Sequence, residues 1–162
     1  MILEMDIRKA LFELMITKWP RPEYQYYLRE VHEAYRMPCF FILADLEEEV
    51  PSGVACFKKT YQCKIMYYEK GHKETKTAEI VDGMRQLFLS SGKTSRYFIL
   101  HVKDRYLEIK NFSYNYVGSD LDVPEIVFRL EFVDSYAQKD THEIMEDVHT
   151  ETIINNTKIK EV

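Results

Sequence analysis

The spacing of hydrophobic residues predicts two amphipathic helices, at residues 2–18 and 74–90. The first helical stripe comprises Ile7, Leu11, Leu14 and Met15, and the second comprises Ala78, Val81, Met84 and Phe88. Proline cannot continue the hydrogen-bond ladder of a helix, so Trp19-Pro20-Arg21-Pro22 is expected to end the first helix. Gly92 is a suitable C-terminal cap for the second.

The remaining pattern is typical of strands. Residues 24–31 and the apolar run 38–44 are predicted strands, and the run is long enough for a strand buried on both faces. A predicted turn at residues 51–53 leads to the clearest alternation in the chain. Its apolar positions are Phe57, Tyr61, Cys63, Ile65 and Tyr67, and its polar positions are Lys58, Thr60, Gln62 and Lys64. Further strands are predicted at 97–103, 105–110, 111–117 and 124–134.

This order of elements predicts an α+β fold. We expect a mostly antiparallel β-sheet with a long hairpin across residues 39–67, and two helices packed on one face of the sheet. Residues 1–138 are expected to form this domain. Residues 139–162 are polar and charged and lack core periodicity, so we expect a C-terminal extension.

Composition and charge restrict the class of protein. Hydrophobic residues make up 46% of the 162 positions, enough for a folded core. The net charge of −5 disfavours a general nucleic-acid binder. Residues 58–76 nevertheless carry a local charge of +4 and residues 140–162 one of −4. Such opposite poles suit head-to-tail packing of identical subunits, although two solvated faces give the same pattern.

The cysteines and the N-terminus bear on the compartment. Three cysteines without a CxxC pair indicate a reducing environment, such as a bacterial cytoplasm. Acidic and basic residues interrupt the apolar N-terminus, which therefore does not resemble a signal peptide. No apolar run approaches the ~20 residues of a membrane span, and we expect no membrane partner.

Two segments resemble ligand-binding motifs without meeting their requirements. Ser91-Gly92-Lys93-Thr94 lacks the first glycine of a phosphate-binding loop, since that position is Leu87, and it follows a helix rather than a strand. His142 and His149 are seven residues apart, whereas the helical zinc motif places its histidines four apart. We therefore predict neither a cofactor nor a metal site.

No catalytic constellation is apparent either. His101 lies in a predicted strand, where a hydrolase would need a Ser or Cys nucleophile in a sharp turn beside it. Asp120, Asp122 and Glu125 could bind a cation, but turn formation at Gly118-Ser119-Asp120 explains them equally well. We predict that the protein is not an enzyme.

Several segments resemble the tail terminator family of contractile-tailed phages and of phage-tail-like bacteriocins. Residues 36–42, Arg-Met-Pro-Cys-Phe-Phe-Ile, are similar to the family's Arg-x-Pro-Ser-Phe-Phe segment, with Cys39 in place of the more common Ser. The other matching segments are the N-terminal helix, Glu30-Val31, Glu47-Glu48-Glu49, Lys64-Ile65-Met66-Tyr67-Tyr68, residues 80–89 and Leu130-Glu131-Phe132. The resemblance covers about residues 5–135.

The resemblance implies a structural virion protein at the head-proximal end of the tail, assembled in the cytoplasm of the bacterial host. It implies a homo-hexameric ring that caps the tail tube, stops tube and sheath polymerisation and offers a docking face for the collar or neck. The expected partners are the tube protein, the sheath protein and, in a complete phage, a neck or head-completion protein. DNA would then pass through the ring only as cargo.

Particular residues can be assigned to these roles. Glu47, Glu48 and Glu49 are candidates for the lumen, because carboxylates do not grip passing DNA. Lys58, Lys64, Tyr67 and Tyr68 are candidates for the subunit interface, and Thr152, Ile153 and Ile154 for a docking arm. The alternative function is a small regulatory or nucleic-acid-binding protein that uses the basic face Lys58–Lys76.

Overall fold

The computed structural model describes residues 1–28, 35–71, 74–90, 98–118 and 123–136. Its elements are α1 (Glu4–Met15), β1 (Gln25–Tyr27), β2 (Cys39–Gly53), β3 (Cys56–Tyr68), α2 (Glu74–Ser90), β4 (Ile99–Val102), β5 (Arg105–Val117) and β6 (Val123–Ser135). The strands form one six-stranded sheet in the order β1-β2-β3-β6-β5-β4. Every pairing is antiparallel except that of β1 with β2. The predicted α+β class and mostly antiparallel sheet are confirmed.

The hairpin of β2 and β3 is longer than predicted, because its turn lies at Val54-Ala55 rather than at residues 51–53. Pairing runs from Cys39 opposite Tyr68 to Gly53 opposite Cys56, with a bulge between Leu46 and Glu48. The error arose from Pro51, which normally signals a turn. Among the described strands, however, only β1 pairs with this side of β2, at Cys39–Phe41, so Pro51 lies on an edge, where proline is tolerated.

Both faces of the sheet are covered around the base of this hairpin. Phe40, Ile42 and Ile65 point into the main core, which also contains the buried stripes of both helices. Cys39, Phe41 and Met66 form a smaller cluster, with different neighbours. Alternate side chains of one strand point to opposite faces, so the apolar run 38–44 lies in both cores. The prediction of a strand buried on both faces is confirmed.

The first helix is shorter than the predicted residues 2–18, because residues 16–18 form a turn. The backbone N–H of Leu3 donates to the carboxylate of Asp6 at 2.8 Å, which caps its N-terminal end. Ile7, Leu11 and Met15 are buried as their spacing predicted.

The second helix has the predicted bounds, but one position of its stripe is wrong. Thr77 is buried and Ala78 is exposed. At Gly83 a Cβ atom would lie 2.8 Å from Cζ2 of Trp19, so only glycine lets α2 approach the indole this closely. In this orientation of the helix, Ile80, Val81 and Met84 face the core.

The predicted strands 105–110 and 111–117 are one strand, β5. Its pairing with β6 shifts between Lys110 and Ser113, and Asn111 has a positive φ of 54°. These are features of a β-bulge, which bends a strand without ending it. On β6 the alternation held: Ile126, Phe128, Leu130 and Phe132 are all buried.

We predict that Phe41→Ala destabilises the fold severely. Phe41 is only 2% exposed, and its ring packs against Tyr27, Tyr35 and Tyr68 with centroids 5.1–5.5 Å apart. Truncation of a buried Phe typically costs ~3–5 kcal/mol. Denaturant unfolding should show this loss and poor solubility on expression. Lys9→Ala is the control, because the Lys9 side chain is 72% exposed, and should change stability by less than ~0.5 kcal/mol. If Phe41→Ala and the parent protein unfold at the same denaturant concentration, the cluster around Phe41 is not a second core.

Candidate functional site

The outer face of the sheet, on the side away from the helices, carries a row of ion pairs. Arg129 of β6 donates from Nε to Glu47 of β2 at 2.7 Å, and its Nη2 bonds the second carboxylate oxygen. The bulge at Leu46/Glu48 brings Glu47 across the intervening strand β3 to this arginine. A two-point Arg–carboxylate contact fixes direction as well as distance. Glu47 is therefore part of a neutralised pair rather than a free anion.

Glu131 continues the row between two lysines. Lys110 Nζ donates to its carboxylate at 3.1 Å, and Lys58 Nζ lies 3.5 Å away. The hydrogen bond from Lys110 exceeds the opposing effect of desolvation and, with the charge of Lys58, lowers the pKa of Glu131. This row of Glu47, Arg129, Lys58, Glu131 and Lys110 is called the outer charge row below.

Glu48 differs from its two neighbours. It lines a shallow depression with Lys58, Thr60 and Arg129, yet forms no ion pair within 4 Å among the described residues. Of the three glutamates predicted to face a lumen, Glu48 is the one that has no ion-pair partner within the described part of the chain.

Glu49 lies on the helix side of the hairpin and belongs to a buried cluster. Its carboxylate is 3.6 Å from Nζ of Lys59 and accepts a hydrogen bond of 2.7 Å from the hydroxyl of Tyr136. Lys59 is only 3% exposed and also lies 3.9 Å from Asp134. Burial favours the neutral amine, but Tyr136 and Glu49 outweigh it and raise the pKa of Lys59.

Asp134 joins the N-terminus to this cluster. It is buried, accepts the backbone N–H of Ile2 at 2.7 Å and lies 3.6 Å from Nη1 of Arg105. Sequence reasoning overlooked Asp134. The available signal was its position: it continues the inward phase of Ile126, Phe128, Leu130 and Phe132, where an acidic residue requires a partner.

The predicted interface residues occupy different environments. Lys64 is half-buried and forms no ion pair with any described residue, and Tyr68 packs over the smaller core. Tyr67 is buried in the main core, where its ring lies 5.0 Å from Phe40 and its hydroxyl donates to Glu69. The side chain of Tyr67 is therefore directed into the core of its own chain, whereas its contact with a partner stays a prediction.

The basic face Lys58–Lys76 is not the continuous positive surface that the alternative function requires. Lys58 is paired with Glu131, and Lys59 points to the opposite side of the strand and is buried. Lys73 lies outside the described residues. Counting lysines along the chain missed this because successive strand residues point to opposite faces.

A hydrolase site at His101 would need a Ser or Cys nucleophile beside it, and none of the described residues that line the adjacent groove is a Ser or a Cys. The groove beside His101 is lined by Asp6, Lys9, Ala10, Glu13 and Lys103. His101 is exposed and its ring stacks on Tyr106 at 4.6 Å. Among the described residues no group of three or more His, Cys, Asp or Glu could hold a metal, and no helix is long and apolar enough to cross a membrane.

Several sequence predictions lie outside the described residues. These are Glu30-Val31, Ser91-Gly92-Lys93-Thr94, Asp120, Asp122, His142, His149, Thr152, Ile153, Ile154 and the domain boundary at 138/139.

The outer charge row should make the protein sensitive to acid. The pKa of Glu131 is lowered in the fold, so its stabilisation is fully present above the unfolded pKa of ~4.3 and is lost as pH falls through the lower folded value. Glu131→Gln should therefore flatten the acid limb of a stability–pH curve below about pH 5. Glu48→Gln is the matched control and should leave that limb unchanged. If the stability of Glu131→Gln falls with decreasing pH as steeply as that of the parent protein, the outer charge row does not cause the acid sensitivity.

Comparison with protein families assigns the chain. A family model described as phage tail terminator protein matches residues 6–143, which include α2, the six described strands and α1 from its third residue onward. A comparison with curated proteins finds no significant match. The match confirms a phage tail terminator family, and this family is structural rather than catalytic. The chain therefore belongs to the phage tail terminator family and is a structural component of a phage tail.

Proposed function

We propose that six copies of the chain form a closed ring that caps the tail tube at its head-proximal end. The ring stops polymerisation of tube and sheath and presents a docking face to the collar or neck. Family membership over residues 6–143 is the observation that carries this proposal. The tail is contractile in this proposal, of a phage or a phage-tail-like bacteriocin, and the ring assembles in the host cytoplasm.

A closed ring needs two different complementary patches on each subunit, and the outer sheet face offers dissimilar surfaces. One end of this face carries the outer charge row. The other end carries the smaller core with half-buried Tyr27, Leu43, Tyr68 and Val117 around it. Aromatic residues of this kind are common in interface cores, and charged pairs are common at interface rims.

Lys64 and Tyr68 are the best placed of the proposed interface residues. Lys64 has no anion of its own chain within 4 Å among the described residues, so a carboxylate of a neighbouring subunit could pair with it. Tyr68 adds an aromatic face and Lys58 a half-exposed cation. Tyr67 supports this surface from beneath by its packing against Phe40.

The lumen proposal rests mainly on Glu48. Glu47 and Glu49 are neutralised by Arg129 and Lys59, so they add little net field. Glu48 keeps its charge, and six copies around a channel would repel DNA phosphates without binding them. DNA then passes as cargo and has no binding site.

The residues after the described core are proposed to include a docking arm at Thr152, Ile153 and Ile154. These three residues are β-branched, which suits strand addition to a neighbouring subunit or sheath protein. Twelve residues, 151–162, could extend about 40 Å.

We predict that the purified protein, alone or on tail tubes, forms rings with the mass of six chains. Mass photometry and negative-stain images measure this directly. Lys64→Glu should weaken ring closure at least about tenfold, since it places like charges together, equivalent to ~1.4 kcal/mol. Lys9→Glu is the control, because Lys9 is well exposed on α1 and outside the proposed interface. A chain that stays monomeric and never associates with tubes would refute the ring.

Deletion of residues 151–162 should leave a folded core that loses sheath attachment or ring closure, because the arm supplies only intersubunit contacts. Circular dichroism reports the core, and co-sedimentation with tail tubes and sheath reports attachment. Ile153→Ser/Ile154→Ser should reproduce the loss without shortening the chain. Full capping by both variants would show that this segment is not an arm.

A further inference from the structure

The hairpin extends further than the helical layer that covers it. Arg8 of α1 donates to the carbonyl of Ala44, and α1 begins only one turn before this residue. Beyond that point the helix-side face of the hairpin carries apolar groups without a covering element among the described residues. We call this the hairpin-end surface, and its members are Met1, Leu3, Pro51, Val54, Phe57 and Tyr136.

The hairpin-end surface contains large apolar side chains that are unusually exposed. Met1 is 55% and Leu3 50% exposed, and Val54 at the turn is 85% exposed. The Met1 amine lies 3.8 Å from Asp134, which is paired with Phe57 in the sheet, so the N-terminus and the hairpin end are neighbours. Exposed apolar groups close to one another mark a site of contact with another segment or partner.

The chain itself leads directly onto this surface. The backbone N–H of Tyr136 donates to the carbonyl of Ala55 at 3.0 Å, and the Tyr136 ring lies 5.0 Å from Phe57. The chain therefore leaves the described core at the hairpin end, with 26 residues after Tyr136. The family match runs on to residue 143, so the family's domain includes residues beyond β6.

The chemistry of the following residues complements the surface. Ile144, Met145 and Val148 supply three large apolar side chains within five positions. The acids among them are Asp140, Glu143, Glu146 and Asp147. Cations border the surface: Lys103 pairs with Asp6, whereas among the described residues the N-terminal amine, Arg105 and buried Lys59 share only Asp134 and Glu49. One positive charge of this group is therefore in excess.

We propose that residues 137–150 pack onto the hairpin-end surface of their own chain, so that only residues 151–162 extend toward other subunits. Because Tyr136 is fixed on this surface, the segment is present at a high effective concentration that a separate copy would have to exceed. With this packing, the docking arm of the proposed function starts at residue 151. The packing can be tested on single chains, whether or not they form a ring.

Cross-linking of paired cysteines tests this placement. In a Cys56→Ser background, Leu3→Cys is combined with either Met145→Cys or Ile154→Cys and treated with a short bifunctional maleimide. Burial raises the pKa of the Cys39 thiol to about 11 and also raises that of Cys63, so the two native thiols stay protonated and unreactive.

An unattached tail sets the baseline for this comparison. Residues 145 and 154 lie 9 and 18 positions beyond Tyr136, and effective concentration falls roughly as the −3/2 power of tether length. A free tail would therefore favour position 145 by only about threefold. The proposal requires intramolecular cross-linking at least about tenfold faster at position 145. A ratio of three or less, or a product that joins two chains, would overturn it.

Substitution provides a second measurement. Ile144→Ser/Met145→Ser/Val148→Ser should lower the equilibrium constant for folding at least about tenfold, because apolar contacts are lost. Ile153→Ser/Ile154→Ser should leave it unchanged. Ring mass is measured for the parent protein and both variants. If the parent forms rings and the triple variant is as stable as the parent, the packing alone is refuted. If the parent stays monomeric and the triple variant shows the tenfold loss of stability, the ring alone is refuted.

Discussion

The pairing of β2 with β3 is the constraint on which the rest of the fold depends. It joins Cys39–Gly53 to Cys56–Tyr68 and lies between the strand partners β1 and β6. The half nearer Cys39 and Tyr68 contributes to both hydrophobic cores, since Phe40 and Phe41 point to opposite faces. The half nearer the turn extends beyond α1 and carries all three glutamates of the Glu47–Glu49 run. One hairpin thus contributes to both cores at its base and carries a cluster of charges at its end.

Desolvated charges fix the end of this hairpin. Lys59 and Asp134 are both buried, and each would be costly alone. Glu49, Arg105 and the N-terminus share the compensation, while Tyr136 covers the lysine with its ring at 4.9 Å. The cluster ties together the first residues, the hairpin and the end of β6. Because of this cross-connection, the two ends of the described core cannot separate independently.

The charged residues on the outer face of the sheet are of two kinds, those in ion pairs and those without an ionic partner among the described residues. Glu47 and Glu131 are neutralised within the chain, whereas Glu48 and Lys64 have no ionic partner among the described residues. Paired surface charges contribute little to affinity, since both partners are already satisfied. Unpaired charges of opposite sign on one subunit are suited to a heterologous contact in which each meets its counterpart on a neighbour.

The sequence by itself determined the helices, the fold class, the family and the buried alternation of β6, because periodicity reports which side of an element is apolar. Tertiary structure decided the turn at Val54-Ala55, the continuity of β5 through its bulge and the rotation of α2 that exposes Ala78. It also decided the fates of the charges: Lys59 is buried while Lys58 is half-exposed, and Glu47 meets Arg129, 82 residues away. Local sequence cannot report these, because register and long-range partners depend on how strands distant in the chain align.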